Sequence, residues 1–425
     1  MKTRAVRLYG KEDLRLEEFD LPPMGDDEIL VKIVSDSICM SSYKAAIQGP
    51  EHKRIPDDVA RNPAIIGHEF CGEIMEVGRK WRRKFHKGEK FVIQPDFNYK
   101  GSLDAPGYSY PYCGGDATYA IIPAEAMITG SLLKYQGDSF FYGSLAEPIS
   151  CIVGGFHAFY HSTRGTYAHD MGLIAGGNMA ILGGAGPMGL GAVDYALHCD
   201  RKPGILVVTD IDDGRLSIAR QLFPAEAAEK AGIDLHFINT RREEAETKMM
   251  ALSGGRGYDD VLVMAPVKAV VEQADRLLGP DGCLNFFAGP IDSGFSALLN
   301  FYDVHYASTH VTGTTGGNIE DMMEAIELIS RGKIDPACMV THIGGLNCVV
   351  DTTLNLPGLP GGKKLIYTHI DMPLTAISDL AKLGETDSFY RSLSEIVNRH
   401  GGLWNAEAEA NLLEHCQEKD EKEAI

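Results

Sequence analysis

Four residues in the first part of the chain carry donor atoms of the kind that hold a transition metal. Cys39 offers a thiolate, His68 an imidazole, and Glu69 and Glu147 carboxylates. Zinc takes four such ligands in a structural site, and three with one open position in a catalytic site. Lewis-acid activation of an oxygen is the chemistry such a set offers. Each residue also has a plainer reading. Cys39 fits a small buried apolar position, His68 a hydrogen-bonded core histidine, and Glu147 before Pro148 a simple turn. Spacing alone leaves both readings open.

A second pattern lies near the middle of the chain. GAGPMG sets glycines at Gly184, Gly186 and Gly189 around Pro187 and Met188. It follows the apolar run MAIL and opens a helical pattern, and Asp210 ends the next apolar run. Those are the context requirements of a dinucleotide fingerprint. The first glycine permits a tight turn, the second lets backbone approach a pyrophosphate, and the third allows close helix–strand packing. The helix N-terminus then presents N–H groups to phosphate. The alternative is a glycine-rich strand-to-helix turn with no ligand. Asp210, Asp212 and Asp213 would repel a ribose 2′-phosphate, which favours NAD(H) over NADP(H). Arg215 is the nearby cation that works the other way.

The elements that must position these residues fall into two rhythms. Up to about residue 125, short apolar runs such as Ala5–Leu8, Glu28–Val34, Glu73–Val77 and Ala117–Ile122 are split by Gly, Pro and Asp, which predicts a compact antiparallel or barrel-like domain. From about Asn178, strands alternate with helices, which predicts βαβ units and a parallel sheet. After Gly316 an amphipathic helix is expected over Ile319–Ser330, with Met322, Met323, Ile326 and Ile329 on one face. The stretch from Asp371 onward is largely helical in pattern.

Bulk composition narrows the function classes. The chain has 425 residues and a formal net charge of -19, so it lacks the basic footprint of a duplex-binding protein. The one dense basic run, Lys80 to Lys90, reads as a solvated loop. No run of 18 apolar residues predicts a membrane span. The N-terminal residues show no apolar signal region. The nine cysteines are scattered, with no C-x-x-C pair, which speaks against a disulfide framework and for a reducing, cytoplasmic setting.

Taken in order along the chain, Cys39 with Ser41, GHEF at 67–70, the glycine turn at 184–189 and TGTTGG at 312–317 resemble the zinc-containing medium-chain dehydrogenases. The resemblance covers roughly residues 1–367. Softer features, CMSSYKA and LAEPISC, look most like the L-sorbose 1-phosphate reductases and more loosely like sorbitol and threonine dehydrogenases. The resemblance implies an α/β protein made of a GroES-like β-barrel catalytic domain and a Rossmann doubly wound parallel sheet. The expected segments are 1–160 for the zinc domain, 161–316 for the NAD-binding domain, and 317–425 for a return to the first with a helical extension. It also implies an active site in the cleft between the domains and a homo-oligomer, dimer or tetramer, acting on a small sugar or polyol substrate.

Carried over residue by residue, Cys39 and His68 match zinc ligands, Glu69 a carboxylate that ligates zinc in the polyol dehydrogenases, and Glu147 a carboxylate that approaches it. Ser41 matches the hydroxyl that passes on the substrate proton. Three departures stand out. Only Cys113 lies between Pro95 and Ala117, so a four-cysteine structural zinc lobe is not expected. Ser42 stands where an aspartate usually supports the zinc-bound histidine, so either another group does so or the histidine is held less firmly. Lys44 stands where many relatives have a relay histidine, and either relays a proton, binds an anion or is a solvated lysine. The expected activity is hydride transfer between NAD(H) and a sugar or polyol phosphate. The alternative is an unphosphorylated polyol or amino alcohol. A phosphate would need fixed cations, and Lys44, Lys53 and Arg54 are candidates ahead of Lys363 and Lys364.

Overall fold

The computed structural model describes residues 1–423 apart from Arg164 and Glu243. The chain forms two compact units: residues 1–147 with 340–425, and residues 148–339. These breaks lie inside the segments expected from sequence, at 147/148 rather than 160/161 and at 339/340 rather than 316/317. The helices Ala146–His157 and Ile319–Ser330 account for the difference. Most of the first packs within the second unit: Gly154 and Gly317 leave no room for a Cβ against Asp321 and Ser150.

The first unit is built on an eight-stranded sheet. Ile29–Ile38 lies between Phe70–Val77 and Lys363–Tyr367, antiparallel to both, and also pairs with Tyr119–Ile122. Alternation along Ile29, Val31 and Ile33 turns these side chains into a core with Phe70, Ile74, Phe91 and Phe85. Gly72 is required where two of these strands meet, since a Cβ there would lie 2.0 Å from the Lys32 carbonyl. A three-stranded sheet, Asp13–Asp20, Lys2–Gly10 and Ala64–Ile65, completes the strand framework. The C-terminal extension folds back on this unit. Glu409, in the helix Ala406–Glu423, accepts the N–H groups of Phe140 and Phe141 at 2.6 and 2.9 Å and the Tyr367 hydroxyl at 3.0 Å. Its carboxylate thereby serves the orphan N–H groups at the start of the helix Phe140–Ser144.

The second unit is a six-stranded, wholly parallel sheet. Its order is Asp234–Asn239, Ile205–Asp210, Asn178–Leu182, Tyr258–Val263, Leu278–Phe286 and His310–Gly313. Asn178–Leu182 is buried throughout, as a central parallel strand should be. The strand order reverses beside it, so its C-terminal end is the switch point where ligands bind in such folds. The helix Ile319–Ser330 has the expected bounds, with an Asn318–Asp321 capping box at its start. Its buried face is Met322, Ala325 and Ile329, while Met323 is 56% exposed. One residue beyond Met322 is a 100° turn of the helix, enough to leave the face.

Candidate active site

In the first unit, the strand Ile29–Ile38 ends directly before Cys39, and Cys39 precedes the helix Met40–Gln48. That helix carries Ser41, Ser42 and Lys44. His68 and Glu69 stand at the entry to the strand Phe70–Val77. Gly67 makes this possible: its φ is +88°, and a Cβ would lie 2.6 Å from the Asp116 amide nitrogen. One ligand atom each from Cys39, His68 and Glu69 falls within 4.8 Å of the others. No other group of three or more such residues does so among the described residues.

Each member is held by a neighbour. Ser42 Oγ lies 3.4 Å from His68 Nδ1 and Tyr108 Oη 3.4 Å from its Nε2, both at the long end of hydrogen bonding. Ser42 is thus the group that meets the histidine at Nδ1, through a long contact. The Cys39 thiol donates to Ser41 Oγ at 3.6 Å. Glu69 is gripped from three sides. Lys363 Nζ donates to both carboxylate oxygens, to Oε2 at 2.6 Å. Ser37 Oγ donates to Oε2, and the Glu69 amide donates to Asp36 Oδ1 at 3.1 Å.

The electrostatics follow from burial. Burial opposes the charge on Lys363, but the Glu69 carboxylate and the Cys39 thiol outweigh it and raise the ammonium pKa. Burial pushes the Glu147 carboxyl up to about 7, the Glu69 charge adds to this, and His68 works against it. Burial lowers the His68 pKa, with Glu147 and Glu69 opposing. Glu147 therefore lies within electrostatic reach of the cluster but outside its tight donor group. Beneath Glu69, burial and the mutual charge of Asp36 and Asp116 raise the Asp36 carboxyl well above the usual range, and burial takes Asp116 to about 7.

Tyr108 and Ser37 carry no site signal in the sequence, and Lys363 reads there only as a lesser candidate for phosphate, not as the partner of Glu69. Tyr108 sits in the aromatic run YSYPY with no spacing signal. Lys363 is distant in sequence and reaches Glu69 only through strand pairing. Lys363 and Lys364 are also removed as free cations, since Lys364 Nζ donates to the Pro360 and Gly362 carbonyls at 2.6 and 2.8 Å.

In the second unit the glycine turn joins the strand Asn178–Leu182 to the helix Pro187–His198. Gly183, absent from the sequence fingerprint, takes the positive φ of +72°. A Cβ at Gly189 would lie 2.2 Å from the Gly184 carbonyl oxygen, so its absence permits helix–strand contact. A Cβ at Gly186 would meet no protein atom within 4 Å. The protein's own packing does not require that glycine. Asp210 is buried, and its carboxylate accepts from backbone: Ala185 N–H at 3.3 Å, Ile211 N–H at 2.8 Å and Asp212 N–H at 3.1 Å. It braces the glycine turn and retains lone-pair capacity for another donor. Asp212 caps the next helix through Arg215 N–H at 3.0 Å, and Arg215 is exposed.

Comparison with known proteins agrees with both units. Residues 25–131 match the alcohol dehydrogenase GroES-like domain family, and residues 187–331 the zinc-binding dehydrogenase family. The chain is 51% identical to the L-sorbose 1-phosphate reductase of Klebsiella pneumoniae, covering 98% of each protein. It is 50% identical to the mannitol-1-phosphate 5-dehydrogenase of Aliivibrio fischeri, covering 97% of this chain and 98% of that protein. Among solved structures, an alcohol dehydrogenase from Thermotoga maritima shares the fold, with a TM-score of 0.69 at 19% identity over 87% of this chain and 100% of that one. No helix among the described residues is long and apolar enough to cross a membrane. The chain belongs to the zinc-dependent medium-chain dehydrogenases and is an oxidoreductase.

Proposed function

We infer that this protein interconverts a ketose phosphate and its alditol phosphate, using one zinc ion and NAD(H). The observation that carries the substrate class is the pair of relatives at 51% and 50% identity, both named for sugar-phosphate substrates. The donor set supports the metal. Zinc bonds of about 2.0–2.3 Å put tetrahedral ligands roughly 3–4 Å apart, close to the 4.8 Å envelope of Cys39, His68 and Glu69. These three residues would hold it, with Glu147 as a second carboxylate close by.

When bound, zinc polarises the substrate oxygen and the dinucleotide carries the hydride. The protein's own groups do the rest. Ser41, beside Cys39 at 3.6 Å, moves the hydroxyl proton. Ser42 would orient the His68 ring from Nδ1, with Nε2 given up by Tyr108 to the metal, and Lys363 and Ser37 orient Glu69. Lys44, one turn beyond Ser41, serves anion recognition. Gly184, Gly186, Pro187, Met188 and Gly189 cradle the pyrophosphate, and Asp210 favours NAD(H) over NADP(H), with exposed Arg215 too weak a counterweight.

A homo-oligomer in the cytoplasm fits the surface chemistry. Leu298, Phe301, Tyr302 and Tyr306 of the second unit are each about 70% exposed, close to its edge strand His310–Gly313. None of the nine cysteines is paired in a disulfide among the described residues. A second substrate class, an unphosphorylated polyol, is favoured by 27% identity to the sorbitol dehydrogenase of Bacillus subtilis over 80% of this chain. A substrate panel decides between them. L-sorbose 1-phosphate and mannitol 1-phosphate should show kcat/KM at least about tenfold above L-sorbose, mannitol and sorbitol, equivalent to about 1.4 kcal/mol of phosphate binding. Equal values would remove the sugar-phosphate assignment.

A further inference from the structure

We propose that Arg54 and His52, assembled on the ring of Tyr108 beside Lys44, form the seat for the substrate's phosphate. The proposal rests on the sugar-phosphate reading above and assigns where in the first unit that phosphate is recognised.

Tyr108 is the platform. Its hydroxyl reaches His68 at 3.4 Å, and the two rings lie 5.0 Å apart. On the same ring His52 stacks nearly parallel, 5.6 Å between centroids at 8°. The Arg54 guanidinium carbon stands 5.6 Å from that ring centre. Two nitrogen donors are thus gathered one aromatic ring away from a residue of the metal cluster.

Arg54 is under-used by the protein. Its side chain is only 13% exposed, yet among the described residues its guanidinium meets one carboxylate, Asp96 Oδ1, at 3.3 Å. A guanidinium carries five N–H donors in a planar fork suited to a tetrahedral oxyanion. Burying most of that fork with one loose partner is costly unless another anion arrives. The backbone beneath is fixed, because Ser109 Oγ donates to the Arg54 carbonyl at 2.7 Å.

His52 is set up as a donor. The Arg54 backbone N–H donates to His52 Nδ1 at 3.3 Å, which leaves the proton on Nε2, facing away from that bond. Burial, and after it the charges of Arg54, Lys53 and Lys44, lower its pKa to about 4 and keep the ring neutral. Three cations acting on one imidazole also mark a local positive field within a chain whose net charge is -19. A phosphate dianion answers that field, whereas a neutral polyol hydroxyl leaves the fork unsatisfied.

The test uses the full-length protein and three variants, Arg54→Ala, Arg54→Lys and His52→Gln. Steady-state kinetics are measured with L-sorbose 1-phosphate and with L-sorbose, and inorganic phosphate binding is measured by calorimetry. Arg54→Ala should lower the preference for the phosphorylated substrate at least about tenfold, mainly through KM, as expected for loss of a charge-assisted hydrogen bond. Inorganic phosphate should bind more weakly by a similar factor. Arg54→Lys should recover part of the loss and His52→Gln should show a smaller one. If the unmodified enzyme prefers the phosphorylated substrate and neither Arg54→Ala nor His52→Gln alters that preference or phosphate binding, the seat is elsewhere and the substrate class stands. If the unmodified enzyme shows no such preference, the substrate class falls and the seat with it. Should Arg54→Ala fail to fold, His52→Gln and phosphate binding carry the decision.

Discussion

On the proposed function, the two units bind ligand in different ways. In the second, a contiguous stretch of backbone, residues 183–189, does most of the work, with one side chain, Asp210, bracing it from the neighbouring strand. In the first, the proposed working groups are side chains drawn from positions 37, 39, 68, 69, 108, 147 and 363, and the pairing of three antiparallel strands brings Lys363 and Ser37 to Glu69. A backbone site depends on glycines and tolerates little change in conformation. A side-chain site depends on partners that fix each rotamer, and so spreads its vulnerability over distant residues.

The largest expected effect belongs to the side-chain site. Cys39→Ser should lower kcat/KM on the order of 10^3-fold, because Lewis-acid stabilisation is worth several kcal/mol. Bound zinc, measured on the same sample, should fall well below one per chain while circular dichroism is unchanged. An active variant retaining full zinc would take Cys39 out of the metal site.

Next comes Lys363→Met. It strips a buried carboxylate of the cation that donates to both its oxygens, and removing one partner of such a pair costs about 3–5 kcal/mol. For a domain of this size that corresponds to a fall in Tm of roughly 6–20 °C. Lys363→Arg should restore most of the stability. A thermal midpoint within 2 °C of the parent, on the order of half a kcal/mol, would show that Glu69 is held by other groups.

The glycines give a paired contrast in the other unit. Gly189→Ala sets a Cβ 2.2 Å from a backbone oxygen, and forced overpacking costs about 1–3 kcal/mol even without cofactor. Gly186→Ala adds a Cβ that meets no protein atom within 4 Å, so its Tm should hold while the KM for NAD rises. Loss of stability in both, or loss of cofactor affinity in neither, would undo the distinction between a packing glycine and a ligand-facing one.

The same contrast explains what could be read before folding. The parallel sheet, the glycine turn and Asp210 were legible because their signals are local: a strand, a turn and a helix within some 30 residues. The helix Ile319–Ser330 was legible down to its bounds, but Met323 was assigned to the wrong side, since apolar type does not fix burial. Cys39, His68 and Glu69 stood out by residue type and by the GHEF motif. Their partners did not. Lys363 is 294 positions from Glu69, and only the pairing of Lys363–Tyr367 with Ile29–Ile38 brings it near. Tyr108 and His52 look like ordinary loop residues until a ring stack joins them.

The smallest expected effect is on cofactor choice, at Asp210. Its carboxylate carries a negative charge at the end of the strand Ile205–Asp210, with exposed Asp212 and Asp213 following. A ribose 2′-phosphate there meets like charge, whereas a 2′-hydroxyl can donate to the remaining lone pair. Asp210→Ser removes the charge and should lower the NAD-over-NADP ratio of kcat/KM about tenfold, the equivalent of about 1.4 kcal/mol. It also removes the acceptor for Ala185, Ile211 and Asp212 N–H, so the glycine turn should loosen and the KM for NAD should rise. Asp210→Asn separates the two effects, because it keeps one acceptor oxygen while discharging the group. If the loss of preference is electrostatic, both variants should show it. If only the serine variant does, bracing of the turn is the main role of Asp210. A parent enzyme with the higher kcat/KM on NADPH would overturn the charge assignment outright.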